Sequence, residues 1–243
     1  MRTVSRTLLP NTLSPHHPIV LVSPHHPMTL SPSYIEQDGV IAVVRLDDLS
    51  QAVPLTEALV AGGVRAVEFT FTNPAAAEAI GAASAALGSR ALIGAGSVLD
   101  AETARVAILA GARFVVTPTV SLKTIEICHR YGVATTIGAL TPTEILTAWE
   151  AGATYVKVFP ANLGGPRYLR DVRGPLPQVK LIPTGGVALE NAGEFIRAGA
   201  VAVALGSNLV DARSVANDAW DTITTRARAV VDAVARARQP SRA

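Results

Sequence analysis

A single lysine interrupts the apolar segment formed by residues 152–161. A β-branched and aromatic run between Gly and Pro predicts a buried parallel strand, where an ammonium group is costly to desolvate. Only three of the 21 lysine and arginine residues are lysines, and a desolvated lysine, unlike arginine, can become a nucleophilic amine. Lys157 is therefore a candidate nucleophile. The alternative is a lysine that reaches solvent from a strand end or pairs with a carboxylate.

Strand alternation predicts the direction in which Lys157 points. Tyr155, Lys157 and Phe159 fall on one face of the strand, and Val156 and Val158 fall on the other. The valine face suits a covering layer of helices. Lys157 is therefore expected to point into a core or a barrel lumen.

Glu68 is the only carboxylate within a predicted strand. Alternation places Glu68 and Thr70 on the side opposite Val67 and Phe69. Desolvation lowers the pKa of a buried lysine, so that its neutral amine can attack a ketone and form an iminium and then an enamine. Glu68 would move the protons that these steps require. A structural ion pair between the two side chains is the alternative.

The elements that must position these side chains follow a repeat of amphipathic helix, glycine and apolar strand. Helix-ending glycines recur every 20 to 26 residues, which matches a βα period, at Gly62, Gly88, Gly111, Gly132, Gly152, Gly174 and Gly199. The predicted strands cover residues 40–44, 66–70, 91–95, 113–117, 134–137, 154–159, 179–183 and 201–205. Eight such units predict an α/β fold, a single-domain (β/α)₈ TIM barrel, with a doubly wound open sheet as the alternative.

Helix boundaries carry their own signals. Asn73-Pro74 predicts an N-cap followed by a first-turn proline, and residues 141–144 predict a capping box. A helix is expected over residues 189–197, and a last helix over about residues 215–235.

Polar residues at the C-terminal ends of the strands are the candidates for an active site. Besides Lys157 and Glu68, they are Arg45, Thr70, Thr72, Ser97, residues 117–119, Thr184, Gly185, Gly186, Gly206 and Ser207. The loops after strands seven and eight of a barrel commonly bind phosphate through backbone N–H groups, although Gly-Gly also forms plain turns. Arg45 could bind a carboxylate or a phosphate, or lie on the surface in solvent.

Composition excludes several classes of function. The net charge is +2 and aromatic residues make up 5%, without an interleaved basic and aromatic motif, which argues against a nucleic-acid partner. No apolar run reaches about 18 residues, so no transmembrane helix is expected. Cys128 is the only cysteine, which excludes an internal disulfide and suits a reducing compartment such as the cytoplasm. Cys128 is expected to be a small core residue.

The two ends of the chain differ from the repeat. Residues 1–32 are rich in Pro and Ser and contain Ser-Pro-His-His-Pro twice, which predicts disorder, followed by a barrel domain at residues 33–238 and a tail at 239–243. The apolar run at residues 19–22 is too short for an export signal, and Met28 could equally be the start. The paired histidines lack acidic or cysteine co-ligands for a metal. A solvated helix face is predicted for Arg226, Arg228, Arg236 and Arg238.

Six motifs within about residues 34–210 resemble those of one protein family and occur in the same order. They are Gly39-Val-Ile-Ala-Val-Val-Arg45, Val67-Glu68-Phe-Thr70, Ile93-Gly-Ala-Gly-Ser97, Phe114-Val-Val-Thr-Pro118, Val156-Lys157-Val-Phe-Pro160 and Pro183-Thr-Gly-Gly186. The family is the 2-keto-3-deoxy-6-phosphogluconate and 4-hydroxy-2-oxoglutarate aldolases, class I pyruvate aldolases of the Entner–Doudoroff type. The resemblance implies a homotrimeric barrel without a metal or other cofactor, a Schiff base between Lys157 and the pyruvate half, and Glu68 as general acid and base. It also implies a sugar phosphate held near Gly185, Gly186 and Ser207.

Two positions depart from the family's pattern. Thr72 stands where many members carry an arginine that grips the pyruvate carboxylate, and Ser97 stands where threonine is usual. Carboxylate binding is therefore expected to pass to Arg45, Ser97 and backbone groups, with Thr72 and Phe159 also lining the pyruvate site.

The resemblance implies reversible cleavage of 2-keto-3-deoxy-6-phosphogluconate to pyruvate and D-glyceraldehyde 3-phosphate. The galactonate epimer and 4-hydroxy-2-oxoglutarate are alternative substrates for the same chemistry. A phosphosugar isomerase or epimerase, with Glu68 abstracting a proton and Lys157 acting only through its charge, is a second alternative. A barrel that binds a metabolite without catalysis is a third.

Overall fold

The computed structural model describes residues 34–239 and forms an eight-stranded parallel barrel that alternates with helices. The strands are β1 (Val40–Val44), β2 (Ala66–Thr70), β3 (Leu92–Gly96), β4 (Phe114–Val116), β5 (Ala134–Ala139), β6 (Tyr155–Val158), β7 (Leu181–Pro183) and β8 (Val203–Leu205). The helices are α1 (Tyr34–Asp38), α2 (Ala52–Ala61), α3 (Ala76–Leu87), α4 (Ala101–Leu109), α5 (Leu122–Arg130), α6 (Pro142–Glu150), α7 (Gly165–Arg173), α8 (Leu189–Arg197), α9 (Ala212–Ala216) and α10 (Trp220–Arg238). The predicted (β/α)₈ barrel is confirmed.

The ends of the sheet meet between β7 and β8, which excludes the open sheet. Hydrogen-bonded strands follow the order β7-β6-β5-β4-β3-β2-β1-β8. A parallel bridge joins Thr184 to Ala204, and the Val201 N–H donates to the Leu181 carbonyl at 3.0 Å. These contacts nearly close the barrel and bring the loops after β7 and β8 together.

Strand alternation divides the core into two layers of apolar side chains. Outward side chains, such as Val67, Val156 and Val158, pack under the helices. Inward side chains fill the lumen and include Ile41, Val43, Ala66, Phe114, Val116, Tyr155, Ile182, Ala202 and Ala204. The lumen is therefore packed with side chains over most of its height, as in other barrels of this size.

Helix α1, which is not among the predicted elements, closes the N-terminal end of the lumen. Its Ile35 is fully buried against the inward side chains. Its Glu36 accepts hydrogen bonds from the Tyr155 hydroxyl at 2.9 Å and from Lys180 Nζ at 2.8 Å. Five residues are too short for a helical period to be seen in the sequence.

The predicted capping box and the predicted core position of Cys128 are confirmed. The Thr141 hydroxyl accepts from the Glu144 N–H at 3.3 Å, and a Glu144 carboxylate oxygen accepts from the Thr141 N–H at 2.8 Å, which completes the capping box. Cys128 is a buried core residue of α5, and burial raises its pKa to about 12. Within residues 34–239, no helix is long and apolar enough to cross a bilayer.

Other local predictions are wrong. Asn73 does not cap α3, which begins at Ala76; its side chain accepts from the Ala75 N–H and donates to the Leu46 and Asp47 carbonyls, so it forms a turn that joins two loops. The last predicted helix is two helices, α9 and α10, separated at Asp218, which has a φ of +49°.

The predicted solvated face of the last helix is correct only in part. Arg236 is exposed. Arg228 and Arg238 are exposed as well, and Arg238 also donates to the Gln37 and Val201 carbonyls at the N-terminal end of the barrel. Arg226 is half-buried and pairs with Asp211. The predicted disordered segment at residues 1–32, with its paired histidines, and residues 240–243 of the predicted tail lie outside the described residues.

Candidate active site

Lys157 lies in the lumen, as predicted. Its strand neighbours Val156 and Val158 pack outward, and only 4% of Lys157 is exposed. Lys157 Nζ lies 4.9 Å from the centre of the Phe159 ring, within the range of a cation–π contact. The alternative of a lysine that extends into solvent is therefore excluded.

Glu68 faces Lys157 across the lumen. The register from strand to strand, with a stagger of about eight residues per circuit, places Lys157, Glu68, Val116 and Ala204 in one layer. Strands β2 and β6 stand four apart in a ring of eight, so their inward side chains point towards each other. Glu68 is 1% exposed.

The two buried groups shift each other's protonation. Burial raises the pKa of the Glu68 carboxyl, against the opposing charges of Lys157 and Arg45. Burial lowers the pKa of Lys157, which Glu68 opposes and Arg45 reinforces. Burial therefore favours a neutral amine and a protonated acid, the forms that attack a ketone and donate a proton.

Lys157 and Glu68 do not form a direct ion pair. In the described part of the chain, no hydrogen bond or nitrogen–oxygen contact within 4.0 Å joins them, although each acts on the other electrostatically. Both functional groups therefore keep their bonding positions for a substrate. The structural ion pair considered from the sequence is not present.

Two glycines allow neighbouring groups to pack closely against the strands beside this layer, and neither is among the predicted site residues. A Cβ on Gly96 would lie 2.7 Å from Glu68 Oε1, and a Cβ on Gly138 would lie 2.2 Å from the Pro118 carbonyl carbon. Glycine inside a strand marks such a close approach. In the sequence, only strand alternation indicates that both glycines face the lumen. Their neighbours across the lumen can be identified only once the register of the strands is known.

Gly96→Ala should slow catalysis by about 100-fold, because a displacement of about 1 Å in a reacting group can have that effect. The added methyl group would push the Glu68 carboxylate from its position. We expect a lower kcat with an unchanged circular dichroism spectrum. The control is Gly81→Ala, where a Cβ on α3 would meet only the Ala110 carbonyl oxygen at 3.6 Å. Equal rates for both variants would contradict the assigned position of Glu68.

Arg45 and Ser97 meet at the mouth of the barrel. Arg45 Nη2 donates to Ser97 Oγ at 3.3 Å, and Ser97 has a φ of +54°. Arg45 is exposed, but its charge lowers the pKa of both Glu68 and Lys157, so Arg45 belongs to the site. Thr72 is exposed, and its hydroxyl bonds to the Thr70 hydroxyl at 2.9 Å. Phe159 lies beside Lys157.

Arg45→Gln should move the acid limb of the kcat/KM profile to higher pH. After burial, the charge of Arg45 is a further cause that lowers the pKa of Lys157, so its removal raises that pKa and protonates the amine at higher pH. The pH profile of kcat/KM reports the free enzyme and is the appropriate measurement. The matched control, Arg130→Gln on the exposed surface of α5, should leave the profile unchanged. A profile for Arg45→Gln that does not move would contradict this coupling.

The predicted phosphate residues surround the junction of β7 and β8. Thr184 is 8% exposed, and its Oγ1 has no hydrogen-bond partner among the described residues. Gly185 and Gly186 have φ values of +90° and +75°, which favour glycine. A Cβ on Gly186 would also lie 2.5 Å from the Asn162 Cβ. Gly206 and Ser207 lie at the facing end of β8.

The loop after β7 presents a row of backbone N–H groups. The carbonyls of Thr184 and Gly185 accept from the N–H groups of Ala161 at 2.8 Å and Asn162 at 3.1 Å. Within the described residues, the N–H groups of Gly186 and Val187 have no acceptor of their own. Adjacent N–H groups without acceptors form an anion-binding concavity.

Other predicted candidates serve the structure. The Thr117 hydroxyl donates to the Thr119 carbonyl at 2.7 Å and accepts from the Gly138 N–H at 3.0 Å. It therefore fixes the loop after β4 against β5 instead of facing a ligand. In the range 34–239, no group of three or more His, Cys, Asp or Glu side chains could hold a metal ion.

The structure is a (β/α)₈ barrel with a buried amine and a buried carboxyl that face each other in its lumen. The family model described as KDPG and KHG aldolase matches residues 32–226. The chain belongs to this aldolase family.

Named relatives agree with this assignment. The chain is 39% identical over 191 residues to 2-dehydro-3-deoxy-phosphogluconate aldolase of Treponema pallidum (strain Nichols), which covers 78% of this chain and 90% of the relative. It is 35% identical over 170 residues to 2-dehydro-3-deoxy-6-phosphogalactonate aldolase of Escherichia coli (strain K12), which covers 70% and 83%. KDPG aldolase from Legionella pneumophila, solved with pyruvate captured at low pH as a covalent carbinolamine intermediate, superimposes with a TM-score of 0.76 at 31% identity over 81% of this chain and 96% of that one.

Proposed function

We propose that this aldolase reversibly cleaves 2-keto-3-deoxy-6-phosphogluconate into pyruvate and D-glyceraldehyde 3-phosphate through a Schiff base on Lys157. The observation that carries the proposal is the buried Lys157 amine facing the buried Glu68 carboxyl in one layer of the lumen, without a direct ion pair. The family and the named phosphogluconate relative support the substrate.

Lys157 and Glu68 would share the steps of imine formation. The neutral amine attacks the C2 carbonyl carbon to form a carbinolamine, and the carboxyl of Glu68 donates a proton to the departing hydroxyl, so that water leaves and an iminium forms. Burial lowers the pKa of Lys157 and raises the pKa of Glu68, which shifts both groups towards the required protonation state. The carboxylate that results then acts as the base for the next step.

The carbon–carbon bond breaks once the iminium is in place. Removal of the proton from the C4 hydroxyl turns that hydroxyl into the aldehyde of D-glyceraldehyde 3-phosphate. The electrons of the C3–C4 bond form a C2=C3 double bond, and the π electrons of the iminium move to its nitrogen. This leaves a neutral enamine on Lys157. Protonation of the enamine at C3 and hydrolysis of the imine release pyruvate.

Two polar regions at the C-terminal end of the barrel would hold the two ends of the substrate. Arg45 and Ser97, with Thr72 and Phe159, are proposed to hold the pyruvate carboxylate, because Arg45 is the cation that acts on both buried groups. The phosphate is proposed to bind at the junction of β7 and β8, where N–H groups lack acceptors. The binding residues there are Thr184, Gly185, Gly186, Gly206 and Ser207.

A second candidate substrate is the phosphogalactonate epimer, which the Escherichia coli relative names. Thr72 is neutral and stands where many family members carry an arginine. Either epimer could therefore be the substrate of the same chemistry. The test is release of pyruvate by the full chain, followed with a coupled lactate dehydrogenase, from both epimers and from 4-hydroxy-2-oxoglutarate. We expect the highest kcat/KM for the phosphogluconate substrate. An isomerase or epimerase would consume sugar phosphate without releasing pyruvate, and a binding protein would do neither.

A homotrimer in the cytoplasm completes the proposal. Helices α4 and α5 and the segments beside them expose large apolar side chains, namely Leu99, Val106, Leu109, Leu122 and Tyr131. Exposed apolar surface of this kind suits contact between subunits. Light scattering should give a mass of three times 25.2 kDa. The single free thiol of Cys128 supports a reducing compartment.

A further inference from the structure

Two asparagine side chains bind the carbonyl groups of the loop after β7. Asn191, in the first turn of α8, donates from Nδ2 to the Gly186 carbonyl at 2.9 Å, and its Oδ1 accepts from the Ala188 N–H at 2.9 Å. Asn208, in the loop after β8, donates from Nδ2 to the Val187 carbonyl at 2.9 Å. The loop is therefore held from its own helix and from the neighbouring strand's loop.

These contacts determine where the backbone N–H groups point. In a planar trans peptide the C=O and N–H groups point in opposite directions. The Gly186 carbonyl is held by Asn191, so the N–H of Val187 in the same peptide is turned to the other side, where it has no acceptor within the described residues. The next peptide is bonded on both sides, to Asn208 and to Asn191, which fixes its plane.

Asn208 also connects the loops that follow β7 and β8. It spans 21 residues of sequence and ties the loop after β8 to the loop after β7. Strands β7 and β8 are joined by the Thr184–Ala204 bridge and by the Val201–Leu181 hydrogen bond, so a side chain that crosses this junction near its open end limits how far the two loops can separate. Asn191 orients the donors, and Asn208 sets their distance from Ser207.

We propose that Asn191 and Asn208 are positioning residues that set the affinity of the site for a phosphorylated substrate over one without phosphate. This inference rests on the proposed function for its substrate. Neither side chain is required to touch the reacting carbons, because both act on the anion site through the backbone. Discrimination between phosphorylated and unphosphorylated keto acids should therefore decrease when either carboxamide is removed.

The first test is calorimetric binding of inorganic phosphate to the full chain and to Asn191→Ala and Asn208→Ala. Loss of a hydrogen bond that orients a donor should weaken the phosphate Kd by about tenfold in each variant. The matched control is Asn217→Ala, since Asn217 Nδ2 donates to the Arg213 carbonyl at 2.8 Å away from the loops. Absence of phosphate binding to the unaltered chain, or equal affinity in all variants, would overturn the inference.

The second test separates positioning from general stability. With the phosphorylated substrate, KM should rise by about tenfold in both variants while kcat changes by less than about twofold, and kcat/KM for 4-hydroxy-2-oxoglutarate should change by less than about twofold. Equal losses on both substrates together with a lower Tm would assign the asparagines a merely structural role. Phosphate binding does not require turnover, so a chain that releases no pyruvate but binds phosphate, with weaker binding in Asn191→Ala and Asn208→Ala, would contradict the proposed function and leave this inference supported.

Discussion

Lys157→Arg abolishes cleavage, with kcat lowered by at least about 10⁴-fold, the scale seen when a covalent catalyst is removed. Arginine keeps the positive charge and much of the length of the side chain, but it stays protonated and cannot form an imine. The measurement is pyruvate release from the phosphorylated substrate at saturating concentration. Because Lys157 is 4% exposed, the larger guanidinium must be accommodated in the lumen, and the circular dichroism spectrum should be compared with that of the unaltered protein.

The control for this variant is Lys123→Arg, which makes the same chemical change on the exposed surface of α5. It should retain full activity. Lys157→Met, which fills the site without a charge, serves as a second test if the arginine variant does not fold. Substantial cleavage by either folded Lys157 variant would exclude a Schiff base at this residue.

Glu68→Gln should lower kcat by about 10²-fold to 10⁴-fold, the usual contribution of a general acid and base. Glutamine has nearly the same shape, but it can neither donate the proton to the departing hydroxyl on C2 nor accept the proton of the C4 hydroxyl. The variant should still form the imine slowly, because Lys157 remains. Removal of the carboxylate also removes the group that opposes burial, so the pKa of Lys157 should fall further. Rapid-quench kinetics would measure the slowed step.

Stability provides an independent readout of the same variant. The pKa of Glu68 is higher in the folded state, so the unfolded state loses its proton first as the pH rises. The free energy of unfolding therefore falls between the pKa of the unfolded state and the pKa of the folded state. Glu68→Gln should therefore unfold at a Tm equal to or above that of the unaltered chain at neutral pH. Glu78→Gln, at an exposed position of α3, is the control for both readouts. A full-activity Glu68→Gln variant would contradict the role of Glu68.

The fold could be predicted from the sequence where local signals agree. Strands β1 and β2 and helix α8 have the predicted bounds, because glycine, turn residues and apolar periodicity mark both their ends. Strands β4, β7 and β8 are shorter than predicted, with three residues each. Residues before these strands, such as Arg113 and Val201, still donate a hydrogen bond to a neighbouring strand, so composition does not show where regular pairing begins.

The site could be predicted only as far as alternation reaches. Alternation identifies Lys157 and Glu68 as inward side chains, but their position in one layer depends on the register of all eight strands. The same limit applies to Gly96 and Gly138, whose missing side chains let Glu68 and the Pro118 backbone pack closely against their strands. Asn191 and Asn208 could not be found, because their bonds to backbone carbonyls exist only after the loops of β7 and β8 are brought together.

The measurement that tests the central claim most directly is reductive trapping. The full chain is incubated with pyruvate and sodium borohydride, digested, and analysed by mass spectrometry, with Lys157→Arg treated in parallel. We expect one reduced pyruvate adduct per chain, on the peptide that contains Lys157, and none in the variant. An unmodified Lys157, or an adduct formed at Lys123 or Lys180 instead, would contradict the central claim.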